Sequence, residues 1–220
     1  MPSQRKVYSI DGNIGSGKST FLEYLKTTLI RSVFGQKVIY LEEPIEEWNK
    51  LKDDNGDTIL KKFYNDQKRY SFSFQMMAYI SRLASLQTAL KKYPNAIIIT
   101  ERCVHTDRHV FAKMLRDSGM IEDIEYKIYL QWFDHFVQDI PLTGIIYINT
   151  PPTLCYTRIQ QRERDGETIP IEYLKKCDKY HKDWIAMYPS EKVLYLNGNI
   201  DKNEVNYYEH FKQVTNFITW

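Results

Sequence analysis

The chain is short of several features that would by themselves narrow its role. Its three cysteines, Cys103, Cys155 and Cys177, are an odd number with no Cys-x-x-Cys or Cys/His spacing. That argues against a disulfide framework or a structural zinc site and suits a reducing compartment, the cytoplasm. No apolar run approaches the roughly 20 residues of a bilayer span, so no membrane partner is expected. Neither sign of charge dominates. Thirty Lys and Arg against 28 Asp and Glu leave a net charge of +2, too little to hold nucleic acid by bulk charge. Repeats, low-complexity tracts and Pro/Gly-rich linkers are missing, and 220 residues read as one domain, 1–220, long enough for a full core. The first apolar run begins by about Arg5, which leaves no room for a signal or transit peptide.

What is abundant is aromatic: 17 Tyr and 4 Trp bring the ring-bearing share to 14%. Tyrosine serves either as amphipathic filler or as the wall of a pocket that stacks on flat rings, and composition does not choose between them.

Short runs rich in Ile, Val and Tyr alternate with longer amphipathic stretches. The runs Lys6–Ile10, Lys37–Leu41, Ala96–Thr100, Gly144–Asn149 and Lys192–Leu196 predict strands. Helices are predicted over Lys18–Phe34, Thr58–Lys92 (with a break near Arg69–Ser71), Val104–Asp117, Ile121–Gln138, Pro152–Arg162, Ile171–Tyr188 and Glu204–Phe217. Continuous apolar strands separated by helices imply an α/β fold with a five-stranded parallel sheet flanked by helices. Ligands bind such sheets at the carboxyl ends of the strands.

After the first run comes Gly12-Asn13-Ile14-Gly15-Ser16-Gly17-Lys18-Ser19, followed by Thr20. This is a complete G-x-x-x-x-G-K-S between a predicted strand and a predicted helix, the context of a P-loop. Backbone amides would cradle the phosphates of a nucleoside triphosphate, Lys18 would neutralise them and the Ser19 hydroxyl would ligate Mg²⁺. After the second run, Glu43 can accept the proton of an attacking hydroxyl, while Glu46 and Glu47 read as helix N-terminal acids. Trp48 is either a core anchor or a ring wall. After the third run, Glu101 stands where a second Mg²⁺-directed carboxylate belongs. Arg102 and Asp107 are either functional groups or a structural ion pair. His105 and His109 have no third ligand and read as non-metal residues; Cys103 reads as a packed side chain.

Gln75, Ala78 and Arg82 share one helical face. They either read the edge of a planar heterocycle with Phe74 stacked nearby or belong to an ordinary core helix. Further on, Arg158, Arg162 and Arg164 precede Gly166. They form a phosphate-clamping lid, about 158–168, or a solvated charge run.

Together these motifs resemble those of the deoxyribonucleoside kinases, and among them the deoxycytidine and deoxyguanosine kinases. The resemblance rests on the glycine loop, Glu42-Glu43-Pro44-Ile45-Glu46-Glu47-Trp48, Tyr64 ahead of Phe74-Gln75, Glu101-Arg102 through Asp107-Arg108, and the arginine lid with Glu167. It runs in order from Lys6 to Tyr188. It implies transfer from ATP-Mg²⁺ to the 5′-hydroxyl of a deoxyribonucleoside, for salvage of DNA precursors. Glu43 would be the general base, Arg102 would sit beside the transferring phosphoryl group, and Tyr64 and Glu167 would hold the 3′-hydroxyl. Gln75 would bond the base, sandwiched by Phe74, Trp48 and Phe111. Arg82 and Asp107, where thymidine-accepting members are apolar, imply deoxycytidine or purine deoxynucleosides over thymidine. The resemblance also implies a homodimer through helices in Val104–Gln138. Cys103 and His105 depart from the Ser and aromatic residue common after Glu-Arg, and the Asp53–Asp57 connection is short. A nucleoside monophosphate kinase of the thymidylate kinase kind is the nearest alternative, opposed by Glu43, which would repel a phosphate acceptor. More remote is a P-loop ATPase switch acting on a macromolecule.

Overall fold

The computed structural model describes residues 6–28, 32–33, 35–138, 140–162, 167–200 and 206–219. Its centre is β1 (Lys6–Asp11), buried from Val7 onward on both faces. On one side β1 pairs in parallel with β4 (Ile97–Glu101), and on the other with β5 (Gly144–Asn149). β3 (Gln36–Leu41) continues the sheet beyond β4, and β6 (Val193–Asn197) continues it beyond β5, both parallel. These are the five parallel strands predicted. A short β2 (Ser32–Val33) adds an antiparallel edge to β3, giving the order β2-β3-β4-β1-β5-β6.

Helices cover both faces, which is why the strands carry apolar side chains on both. Tyr8 and Ile10 of β1 pack with Phe21, Leu22 and Leu25 of α1 (Lys18–Thr28) and with α10 (Asn206–Thr219). Val7 and Ile98 face Leu86, Ala89 and Leu90 of α4 (Gln67–Lys92) on the other side. Ile97, Ile98 and Ile99 are at most 1% exposed; burying each contributes about 2 kcal/mol.

Three predicted boundaries move, each for a local reason. The first helix, described over Lys18–Thr28, ends before Ser32 and does not reach Phe34, because Val33 pairs with Gln36 at the sheet edge around Gly35 (φ +77°). The break in Thr58–Lys92 falls at Asp66. There α3 (Ile59–Asn65) ends, and the Asp66 carboxylate caps α4 by accepting from the Arg69 N–H at 3.1 Å, a favourable N-cap. Arg69–Ser71 continue the helix. The Val104–Asp117 stretch divides into a turn of α5 (Val104–Thr106), a wider π-helical segment Asp107–Ala112, and α6 (Lys113–Asp117). The remaining elements, α2 (Ile45–Lys50), α7 (Asp123–Phe136), α8 (Pro152–Arg162) and α9 (Ile171–Ile185), follow the expected order. No helix among the described residues is long and apolar enough to cross a membrane.

Candidate active site

β1 lies where the chain's path reverses, with β3 and β4 to one side and β5 and β6 to the other. The segments after β1, β3 and β4 therefore meet at one end of the sheet, the place where ligands bind open α/β sheets. There they enclose a cleft of about 590 Å³.

The loop between β1 and α1 forms one end of the cleft. Gly12 (φ +148°) and Gly15 (φ +77°) carry conformations that L side chains rarely adopt. A Cβ at either would also lie 2.6 Å from a carbonyl oxygen, that of Ile148 or of Cys155. Asn13 fixes the turn: its Nδ2 donates to Leu174 O (2.9 Å) and its Oδ1 accepts from the Ile14 N–H (2.9 Å). The Lys18 ammonium donates to Asn13 O at 2.7 Å. Burial, helped by the charge of Arg102, lowers Lys18 to about 8 against the pull of Glu101 and Glu43. An anion in the loop would favour the ammonium and raise it again. Ser16 Oγ is buried and has no hydrogen-bond partner among the described residues. Gly15, Gly17, Lys18, Ser19 and Thr20 line the cleft, while Gly12, Asn13 and Ser16 shape the loop from behind.

Glu43, just past the end of β3, stands next to this loop. Its Oε1 accepts from Arg102 Nη1 at 2.7 Å and from Arg82 Nη2 at 3.0 Å. Burial alone would raise the Glu43 carboxyl, but Arg102, Arg82 and Lys18 outweigh it and hold the group at about 2. Glu101, the last residue of β4, accepts from the Ser19 hydroxyl at 2.7 Å. A hydroxyl and a carboxylate paired at the mouth of a P-loop are the hard oxygen donors that Mg²⁺ takes. Arg102 follows at φ +58°, a left-handed backbone that costs a non-glycine residue on the order of 1–2 kcal/mol. Its guanidinium lies 5.1 Å from the centre of the Phe111 ring.

Beyond Glu43 the cleft turns aromatic. Gln75, Ala78 and Arg82 do share the inner face of α4, all nearly inaccessible and all lining the cleft. Phe74 stacks on Phe63 (4.8 Å between centroids) and meets Trp48 edge-on (5.4 Å). Trp48 is thus both a core anchor and a wall, steadied by its Nε1–H donating to Ser81 Oγ at 2.9 Å. Gln75 Oε1 is buried and has no partner among the described residues. Asp107 accepts from Arg82 Nε at 2.9 Å, so the ion pair weighed for Asp107 is made with Arg82, while Arg102 pairs with Glu43. Burial pushes Asp107 up to about 6, opposed by Arg82. Arg82 stays cationic because Asp107 and Glu43 outweigh its burial.

The far rim carries Tyr64, Glu167, Arg158 and Arg162. Tyr64 is partly buried beside Glu167, and desolvation followed by that negative charge raises its phenol strongly. Glu167 accepts from Arg162 through both carboxylate oxygens, at 2.8 Å from Nε and also from Nη2. Arg158 donates to Ser16 O (3.3 Å) and Ile200 O (2.8 Å), tying α8 to the phosphate loop. Arg164 and the middle of the predicted lid lie outside the described residues. Glu46 and Glu47 occupy the first turn of α2, as expected of N-terminal acids. Cys103 is a buried free thiol, pushed up to about 12 by burial, and so packs as expected.

Sequence reading missed Ile45, Leu60, Phe63, Gln161, Tyr173 and Tyr207, which also line the cleft. A signal existed for Leu60 and Phe63, apolar at i and i+3 on α3, the first one turn before Tyr64 and the second adjacent to it. Tyr173 and Tyr207 arrive from α9 and α10 through tertiary folding alone.

Comparison with known proteins agrees with this architecture. The deoxynucleoside kinase family model matches residues 8–219. A probable deoxycytidine kinase of fowlpox virus is 36% identical over 204 residues, covering 89% of this chain and 80% of that protein. Human deoxycytidine kinase is 35% identical over 201 residues (82% and 75%). Mitochondrial deoxyguanosine kinase of Xenopus laevis is 30% identical over 228 residues (95% and 84%). With its P-loop, its buried carboxylate–arginine cluster and its aromatic cleft in the family's order, this chain belongs to the deoxynucleoside kinase family and is a deoxynucleoside-phosphorylating enzyme.

Proposed function

We propose that the enzyme transfers the γ-phosphoryl group of ATP, with Mg²⁺, to the 5′-hydroxyl of deoxycytidine or a purine deoxynucleoside in preference to thymidine. The observation that carries this reading is Glu43, a carboxylate held ionised between the phosphate loop and the aromatic wall. A hydroxyl acceptor suits that position. A monophosphate acceptor would bring its own negative charge against it.

The base enters the slot bounded by Phe74, Trp48 and Phe111. The unpaired Gln75 Oε1 is an acceptor matched to an exocyclic amine. Arg82 occupies the space that a 5-methyl group needs and holds Asp107 alongside as a further acceptor. Tyr64 and Glu167 hold the 3′-hydroxyl, and the Tyr64 ring closes the 2′ side. With the sugar so fixed, the 5′-oxygen faces Glu43 and the loop. Glu43, at about 2, is a weak base for a free alcohol. It therefore takes the proton late, as the oxygen bonds to phosphorus in a loose transition state. Arg102 and Lys18 stabilise the charge on the transferring group, and the lid arginines Arg158, Arg162 and Arg164 keep competing water out. Ser19 and Glu101 would hold Mg²⁺, whose charge would offset that of the phosphates.

A homodimer is part of this reading. Ile124, Ile128, Trp132 and Phe136 recur every four residues along α7 and are 40–62% exposed. Tyr79 OH of α4 donates to Trp132 O (3.2 Å), which locks the two helices together. One apolar face on a helix pair is self-complementary under twofold symmetry. A cytoplasmic setting suits three buried free thiols.

Initial rates with ATP and each of the four deoxynucleosides test the substrate assignment, with dCMP as a fifth acceptor. Deoxycytidine or a purine deoxynucleoside should lead and thymidine trail. Labelled product from dCMP alone would establish the monophosphate kinase instead.

A further inference from the structure

Asp11, the last residue of β1, is completely buried and takes no part in lining the cleft. Its Oδ1 accepts from Thr106 Oγ1 at 2.6 Å and its Oδ2 accepts from Ser9 Oγ. Burial pushes the carboxyl above its ordinary range, opposed by those two hydroxyls and then by the charges of Arg102 and Lys18. A buried acid is retained at such a site when something depends on its bonds.

What depends on them is the backbone around Arg102. The Thr106 hydroxyl that Asp11 holds also accepts from the Cys103 N–H (3.3 Å), the peptide immediately after Arg102. On the other side the Arg102 N–H donates to Ile10 O at 3.0 Å. The Arg102 carbonyl accepts from the Thr100 hydroxyl. A residue at φ +58° keeps that conformation only where its surroundings over-determine it. Here part of those surroundings comes from the end of β1, directly before the phosphate loop.

We propose that Asp11 and Thr106 are positioning residues of the phosphoryl transfer, holding Arg102 in its left-handed conformation so that its guanidinium meets both Glu43 and the transferring group. This rests on the role given to Arg102 above. Neither residue touches a substrate. The carboxylate suits the task because it offers an acceptor to each of two hydroxyls approaching from different sides, Ser9 within β1 and Thr106 across from it.

The test uses the full-length enzyme. Thr106→Val removes the hydroxyl at nearly constant volume and should lower kcat about tenfold or more, the scale of a small misplacement at a reacting centre. KM for ATP and for deoxycytidine should stay within about twofold, since ground-state binding is untouched. Thr106→Ser, which keeps the hydroxyl, should restore kcat. A purely structural threonine would lower the melting temperature and leave kcat alone. Asp11→Asn, which retains one acceptor, provides the second measurement if Thr106→Val does not fold; its kcat should fall about threefold. In an Arg102→Lys background, Thr106→Val should have almost no additional effect, because residues acting as a unit are non-additive. Full additivity, or wild-type kcat in both Thr106→Val and Asp11→Asn, overturns the inference while Arg102→Lys remains impaired. An unimpaired Arg102→Lys enzyme overturns the role of Arg102, and the inference with it.

Discussion

Arg82 donates through Nη2 to Glu43 Oε1 at 3.0 Å, and through Nε to Asp107 at 2.9 Å. One guanidinium therefore joins the residue proposed to exclude a 5-methyl group to the residue proposed to take the proton. Base selection and chemistry share a side chain, so changing one disturbs the other.

Replacing Arg82 by Met and Asp107 by Ala together opens the base slot without leaving either charge unpaired against the other. The ratio of thymidine to deoxycytidine kcat/KM should rise by about tenfold or more, the scale on which pocket shape discriminates. The kcat on deoxycytidine should fall at the same time, because Glu43 loses one of its two guanidinium partners. A wild-type substrate ratio in the double variant would remove the base-preference assignment.

Glu43→Gln keeps an acceptor for Arg82 and Arg102 but cannot take a proton. Turnover should drop by roughly 10²–10⁴-fold, the range of a general base. Deoxynucleoside affinity, read by fluorescence titration, should change little. Near-wild-type kcat would mean that another group or the phosphate itself accepts the proton.

The pH profile should bend on the alkaline side. In the proposed function Lys18 must be charged to meet the triphosphate, and it is lowered to about 8 by burial and Arg102. Hence kcat/KM for ATP should hold steady below that pH and decline above it. Bound phosphates favour the ammonium, so the limb in kcat at saturating ATP should move to higher pH. Glu43, at about 2, is ionised throughout the working range and sets no acid limb above pH 4. A limb in kcat/KM that does not shift on saturation would point away from Lys18.

Trp132→Glu places a charge in the exposed apolar stripe of α7. It should convert a dimer to a monomer in sedimentation velocity without unfolding the chain, since the side chain is 42% exposed in one copy. A wild-type protein that sediments as a monomer at micromolar concentration would remove the dimer from the reading.

Much of this arrangement can be read from the residues because its parts are local. The strand–loop–helix of Lys6 through Thr28 is specified by a run of apolar residues and three glycines. The shared face of Gln75, Ala78 and Arg82 follows from helical spacing. What cannot be read locally is which partner each charge takes. Asp107 is five residues from Arg102, yet it bonds Arg82, 25 positions away, because α4 crosses the end of β4. The helix break was displaced for a similar reason: Asp66 caps α4, while Ser71, polar enough to suggest a turn, is buried in the helix. Tyr207 reaches the cleft from an element whose sequence carries no motif at all, and Tyr173 from one that enters only through the family resemblance, with no site role.

The contact between Gly15 and Cys155 has a mechanical meaning. With the glycine's backbone against the Cys155 carbonyl, the phosphate loop and the first turn of α8 form one packed unit, and Arg158 bonds Ser16 O across the same seam. In the proposed reading, a triphosphate settling into the loop would press on α8 through this seam. That helix carries Arg162 one turn beyond Arg158, so the predicted lid would be reached through packing as well as through charge. A methyl group at position 15 would force the two apart.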